Sequence, residues 1–165
     1  MRVLIVDDVP DVLDCLRTML SMFDHEIETA ESGREALQKL AGREFDVLIS
    51  DISMPEMNGI DFLESLRSSN SRNRDIYTIA LSGYSPELLS LEKAGFNSYV
   101  MKTDYDRLLR EIECAKSGQK RKDPPNILKT SSTSIPPPLT QTSFAIIQRK
   151  MCEGITILTE GIRGN

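Results

Sequence analysis

The chain of 165 residues predicts an α/β fold: a doubly wound five-stranded parallel sheet in the order 2-1-3-4-5, followed by a flexible C-terminal tail. Three observations carry this prediction. Short apolar runs alternate five times with stretches whose apolar residues recur at helical spacing. Most of the runs lack the apolar and polar alternation of a half-exposed strand, as a sheet covered by helices on both faces requires. Capping residues, prolines and glycines fall where helices start and stop.

Val3 to Val6 forms the first strand and runs straight into Asp7 and Asp8. Pro10 then stands near the first turn of a helix carrying Val12, Leu13, Leu16, Leu20 and Phe23. Glu26 to Ala30 is a weaker, more polar strand. The second helix bears Ala36, Leu37 and Leu40; Ser32 with Glu35 makes a capping box at its start, and Gly42 follows its end. Phe45 to Ile49 is the third strand, ending through FDVLIS at Asp51, and Ile60, Leu63 and Leu66 mark the third helix. Ile76 to Leu81 is the fourth strand, succeeded by Ser82 and Gly83. Ser85 as N-cap with Pro86 starts a helix bearing Leu88, Leu89 and Leu91, which Gly95 closes. Tyr99 to Met101 is the last strand, leading to Lys102 and a helix with Leu108, Leu109 and Ile112.

From about Ser117 the texture changes. Residues 117–143 read as a flexible linker rich in Pro, Ser and Thr, and residues 144–165 as a short tail with too few apolar residues for a core of its own. That leaves 1–116 as the domain. Residues 1–116 carry 13 Lys and Arg against 22 Asp and Glu, and residues 117–165 carry 7 against 3. An acidic body of this kind is unsuited to gripping nucleic acid. Hydrophobic content of 39% with 27% charged residues fits a soluble globular chain, and no apolar run approaches a membrane span. The four apolar residues before Asp7 are too short for a secretory signal, so a cytoplasmic location is expected. Cys15, Cys114 and Cys152 lie far apart without a CxxC, and plain reduced thiols are expected. His25, the one histidine, falls in a turn where a surface position is expected.

In the flavodoxin-like strand order, strands one and three are neighbours at the point where the order reverses, and functional groups collect there at the carboxyl ends. Asp7, Asp8 and Asp51 then share one pocket. At about 4 Å each like-charged pair costs on the order of 4 kcal/mol at an effective dielectric of 20, so a proton or a cation must join them. An all-oxygen cup suits Mg²⁺. Ser82 and Lys102 end the fourth and fifth strands and point to the same crevice, where hydroxyl, ammonium and carboxylates suit phosphoryl chemistry. Charge alone leaves open which carboxylate attacks.

V-D-D at positions 6 to 8, D-I-S-M-P-E-M-N-G from Asp51 to Gly59, Ser82-Gly83, Tyr99 and Lys102, in this order and spacing, resemble the receiver domain of two-component response regulators over residues 1–116. The resemblance implies that Asp51 is the phosphoacceptor, that Asp7 and Asp8 belong to a Mg²⁺ site, and that Ser53 adds a backbone carbonyl to it. It implies that Ser82 and Lys102 contact the phosphoryl group, and that Tyr99 is a switch residue. Met54, Pro55, Asn58 and Gly59 resemble the loop and turn that shape the acceptor pocket. The implied partners are a sensor histidine kinase or histidine phosphotransfer protein and a downstream protein target. One departure stands out: receivers usually follow the lysine with a cis proline, whereas Thr103 follows Lys102 here. A trans or rearranged loop is expected, because a non-proline cis bond costs about 2.5 to 4 kcal/mol.

The expected function is a stand-alone signalling switch whose output is binding rather than catalysis. Two alternatives remain: a receiver-shaped interaction protein that no longer needs phosphate, and an aspartyl-phosphate phosphatase. The phosphatase family resembling haloacid dehalogenases places D-x-D after its first strand, a spacing that Asp7, Asp8 and Val9 do not match.

Overall fold

The computed structural model describes residues 1–83 and 88–116. Strands β1 (Arg2–Val6), β2 (Glu26–Ala30), β3 (Val47–Asp51), β4 (Tyr77–Ser82) and β5 (Ser98–Met101) alternate with helices α1 (Pro10–Ser21), α2 (Gly33–Gly42), α3 (Gly59–Ser68), α4 (Leu88–Ala94) and α5 (Tyr105–Lys116). All neighbouring strands pair in parallel, in the order β2-β1-β3-β4-β5. The doubly wound fold read from the alternation is the fold observed. The Ser85 and Pro86 helix start and the linker and tail expected beyond residue 116 lie outside the described residues.

The continuous apolar runs are explained by the two layers of helices. Leu4, Val6, Leu48 and Ala80 pack in one cluster with Ala36 and Leu40 of α2, Phe62, Leu63 and Leu66 of α3, and Leu91 and Ala94 of α4. Side chains alternate along a strand, so Val3, Ile5, Ile49, Ile79 and Leu81 face the opposite layer. There Leu81 borders a cavity with Leu16 of α1 and Leu108 of α5. Every residue of β3 is buried, whereas β2, at one edge, is only partly covered along most of its length, which accounts for its polar sequence.

The helix ends follow local chemistry with two adjustments. Pro10 opens α1 behind Val9, which makes no side-chain cap bond. At α2, Ser32 Oγ accepts from Glu35 N, but the Glu35 carboxylate reaches back to Glu31 N, one residue beyond the N-cap. Gly42 is the last residue of α2 rather than the residue after it. Gly95 takes φ +93°, a left-handed conformation that closes the turn after α4 without a Cβ penalty. His25 is partly exposed in the turn before β2, and burial followed by the charge of the N-terminal ammonium pulls its pKa down. Cys15 and Cys114 lie half-buried on α1 and α5 as free thiols.

Candidate functional site at the carboxyl ends of the strands

The chain leaves β1 in one direction to form β2 and returns on the other side to form β3, so a crevice opens beyond the ends of β1 and β3. Asp7 is the first residue after β1 and its N–H donates to Ala30 O at 3.2 Å. Asp51 is the last residue of β3. Oxygens of Asp7, Asp8 and Asp51 lie within 4.8 Å of one another, as the strand order requires of residues ending adjacent strands. Asp7 is fully buried, Asp51 is 3% exposed and Asp8 lies at the rim.

Each buried carboxylate has one oxygen held by its own chain. Asp7 Oδ1 accepts from Val9 N at 3.1 Å and Asp51 Oδ1 accepts from Ile52 N at 2.8 Å. The other oxygens turn to Lys102, whose Nζ lies 2.7 Å from Asp7 Oδ2 and 3.2 Å from Asp51 Oδ2. Charge is better matched than direction, because Asp7 Oδ2 is a buried oxygen without an aligned hydrogen bond. Burial pushes the Asp7 carboxyl above its ordinary pKa, against the opposing pull of Lys102 and of Val9 N–H. Burial alone would lower Lys102, but its close contact with the Asp7 carboxylate, with the charge of Asp51, outweighs it and holds the ammonium above the usual lysine value. Lys102 thus serves as the counter-cation of a site with an excess of negative charge.

The loop after β3 is shaped by close packing. Gly59 N donates to Ile52 O at 2.9 Å, and a Cβ at Gly59 would lie 2.2 Å from Asp51 O, so only glycine fits against the backbone of the β3 end. Asn58 caps α3, its Oδ1 accepting from Ile60 N and Asp61 N at 2.9 Å each. Between the end of β3 and Asn58, Glu56 has φ +62°, and Met57 N donates to Pro55 O, a tight turn centred on a residue in the left-handed region.

The other residues singled out in the sequence surround this cluster. Ser53 lies two residues beyond Asp51 on the exposed part of the loop, and Ser82 is buried at the end of β4. Lys102 N donates to Ser82 O at 2.9 Å, joining the ends of β4 and β5. Tyr99, opposite Ala80, is half-buried against the core. No cis peptide bond occurs among the described residues, so the Lys102–Thr103 link is trans.

Residues 3–113 match the family described as the response regulator receiver domain. The chain belongs to this family. The receiver is 37% identical over 114 residues to chemotaxis protein CheY1 of Helicobacter pylori, covering 67% of this chain and 92% of that protein. It is 35% identical to regulatory protein AtoC of Escherichia coli over 65% of this chain but only 23% of that longer protein. Among solved structures, the response regulator TrrA of Thermotoga maritima in complex with Mg²⁺ and BeF matches with TM-score 0.62 and 33% identity, over 69% of this chain and 97% of that one. CheY4 of Vibrio cholerae matches with TM-score 0.65 and 29% identity, over 69% and 97%. As a receiver related to CheY, the chain is a signalling module rather than a classical enzyme.

The site suits a hard divalent cation. Its donors are all carboxylate oxygens, three residues converge within reach of one ion, and a buried oxygen of Asp7 lacks an aligned partner. Asp7, Asp8 and Asp51 are the residues able to hold it.

Two polar anchors escaped the sequence reading. Asn73 is 3% exposed; its Oδ1 accepts from Phe45 N at 2.9 Å and its Nδ2 donates to Leu40 O and Arg43 O at 2.7 Å each. Arg67 donates to the carbonyls of Arg74, Ile76 and Gly95 and to Thr78 Oγ1. Burial lowers its pKa, with Asp75 opposing. Both lie in polar stretches whose composition gives no sign of burial.

Proposed function

We propose that this receiver is a phosphorylation-dependent switch in two-component signalling, with Asp51 as the phosphoacceptor. The observation that carries the reading is the meeting of Asp7, Asp8 and Asp51 oxygens within 4.8 Å, with Lys102 Nζ 3.2 Å from Asp51 Oδ2. A sensor histidine kinase, a histidine phosphotransfer protein or a small phosphodonor supplies the group, and a downstream protein reads the result. Asp51 Oδ2 attacks phosphorus, the bond to the donor's leaving atom breaks, and an acyl phosphate forms on the carboxylate. Lys102 moves from carboxylate counter-ion to the phosphoryl oxygens as negative charge accumulates beyond Asp51. The Ser82 hydroxyl donates to a phosphoryl oxygen, and Tyr99, packed at the core margin, changes position with it. Asp7 and Asp8, with Asp51 and the Ser53 carbonyl, hold Mg²⁺, which when bound neutralises charge on the transferring group. The Mg²⁺-bound state named for TrrA of Thermotoga maritima supports this assignment by kinship.

Incubation of the chain with acetyl phosphate and Mg²⁺ tests the reading. A hydroxylamine-sensitive phosphoryl group is expected on the wild type and none on Asp51→Asn. Equal labelling of the variant, or no labelling of the wild type, would refute the assignment.

A further inference from the structure

Lys102 reaches two carboxylates from a corner that lacks the usual proline, so something else must fix the place where its side chain leaves the backbone. Its N–H is tied to Ser82 O at 2.9 Å. Two residues later, Asp104 N donates to Met101 O at 2.9 Å, closing a turn whose central residues are Lys102 and Thr103. Asp104 also starts α5: its carbonyl accepts from Leu108 N at 3.1 Å and its Oδ1 from Arg107 N at 3.1 Å. One residue therefore closes the lysine turn and caps the helix that Leu108, Leu109 and Ile112 anchor in the core. Lys102 also lines a cavity of about 40 Å³ together with Leu16, Tyr105 and Leu108.

We infer that Asp104 is a positioning residue for Lys102: its side-chain cap sets the start of α5, and through the shared turn it aims the ammonium at Asp51 and Asp7. The inference rests on Lys102 being the phosphoryl-contacting group. In a trans corner without a rigid ring, the capping carboxylate supplies the restraint.

The test compares Asp104→Ala with Asp104→Asn and Asp104→Ser, which retain a capping acceptor. Initial rates of phosphorylation by acetyl phosphate at saturating Mg²⁺ should fall about tenfold in Asp104→Ala, as misplacement of a charge-stabilising group predicts. The Asn and Ser variants should stay within about twofold of wild type. In a Lys102→Ala background, Asp104→Ala should cost nothing more, since no ammonium remains to aim. A second readout does not depend on phosphoryl transfer: the ¹⁵N-edited resonance of the Lys102 ammonium, protected by its two ion pairs, should be lost in Asp104→Ala and kept in Asp104→Asn. An unchanged resonance in the Ala variant, a wild-type rate, or an equal loss of rate in the Lys102→Ala background would overturn the inference. Absence of labelling in the wild type would instead refute the phosphoacceptor reading, and the resonance would still decide the role of Asp104.

Discussion

Asp7 shows how a single residue trades stability for chemistry. It is fully buried, and the upward direction of its pKa means that burial outweighs the help it receives from Lys102 and Val9 N–H. A carboxyl raised in the folded state contributes stability that is full below its unfolded value near 3.8 and is lost as pH rises through the folded value. At neutral pH without a divalent cation, the ionised Asp7 is therefore a net cost. Asp7→Asn keeps the shape and removes the charge, so it should raise metal-free stability by on the order of 1 kcal/mol, or roughly 4 °C in melting temperature. The variant should also lose less stability than the wild type between about pH 4 and 7, and should gain little from added Mg²⁺. Thermal melts across that range, with and without Mg²⁺, check all three outcomes; a lower metal-free midpoint for the variant would mean that the Lys102 ion pair outweighs burial. Such a residue is visible in sequence because it breaks a local rule: charges at the end of a four-residue apolar run demand a reason. The same violation exposed Asp51 at the end of FDVLIS. Asp104 gave no such signal, since an aspartate in a polar turn before a helix is ordinary until its neighbours in space are known.

At the scale of elements, the strands and helices were legible because each buried face leaves a pattern in the sequence, a period of 3.6 for α1 to α5 and a mainly apolar run for β1, β3 and β4. The joints between elements leave none. Asn73 stands in the α3–β4 connection, yet it fastens the end of α2 to the approach to β3 by three hydrogen bonds, all contributed by an amide that can both donate and accept. Asn73→Ala would leave the Phe45 N–H and two carbonyls without these partners, at an expected cost of about 2 to 3 kcal/mol in urea unfolding. Asn73→Asp should be no better at neutral pH, because a carboxylate can accept from Phe45 N but cannot donate to Leu40 O and Arg43 O. The joint lies at the amino ends of the strands, opposite the carboxylates. Mg²⁺ affinity should therefore stay within about twofold of wild type in the folded variant. A large drop in affinity would show that the two ends of the sheet are coupled.

For the molecule as a whole, topology couples the site to the fold. The strand order brings Asp7 and Asp51 together only after β1 and β3 have paired, so the acidic cluster is a product of the complete sheet, and a cation bound there stabilises the folded state alone. All five strands, both helical layers and the cluster lie within residues 1–116. A chain ending at Lys116 should accordingly unfold in one cooperative step, with a midpoint within about 2 °C of the full-length chain. Mg²⁺ at a hundredfold its dissociation constant should add about 2.7 kcal/mol to either chain, in accordance with mass action. Calorimetry of the two chains with and without Mg²⁺ measures both quantities. A broad, non-cooperative transition in the shorter chain would move the domain boundary beyond Lys116. Equal cooperativity with a lost Mg²⁺ response would mean instead that residues after 116 contribute to the site, because a metal held by Asp7, Asp8, Asp51 and the Ser53 carbonyl has no other reason to sense their removal.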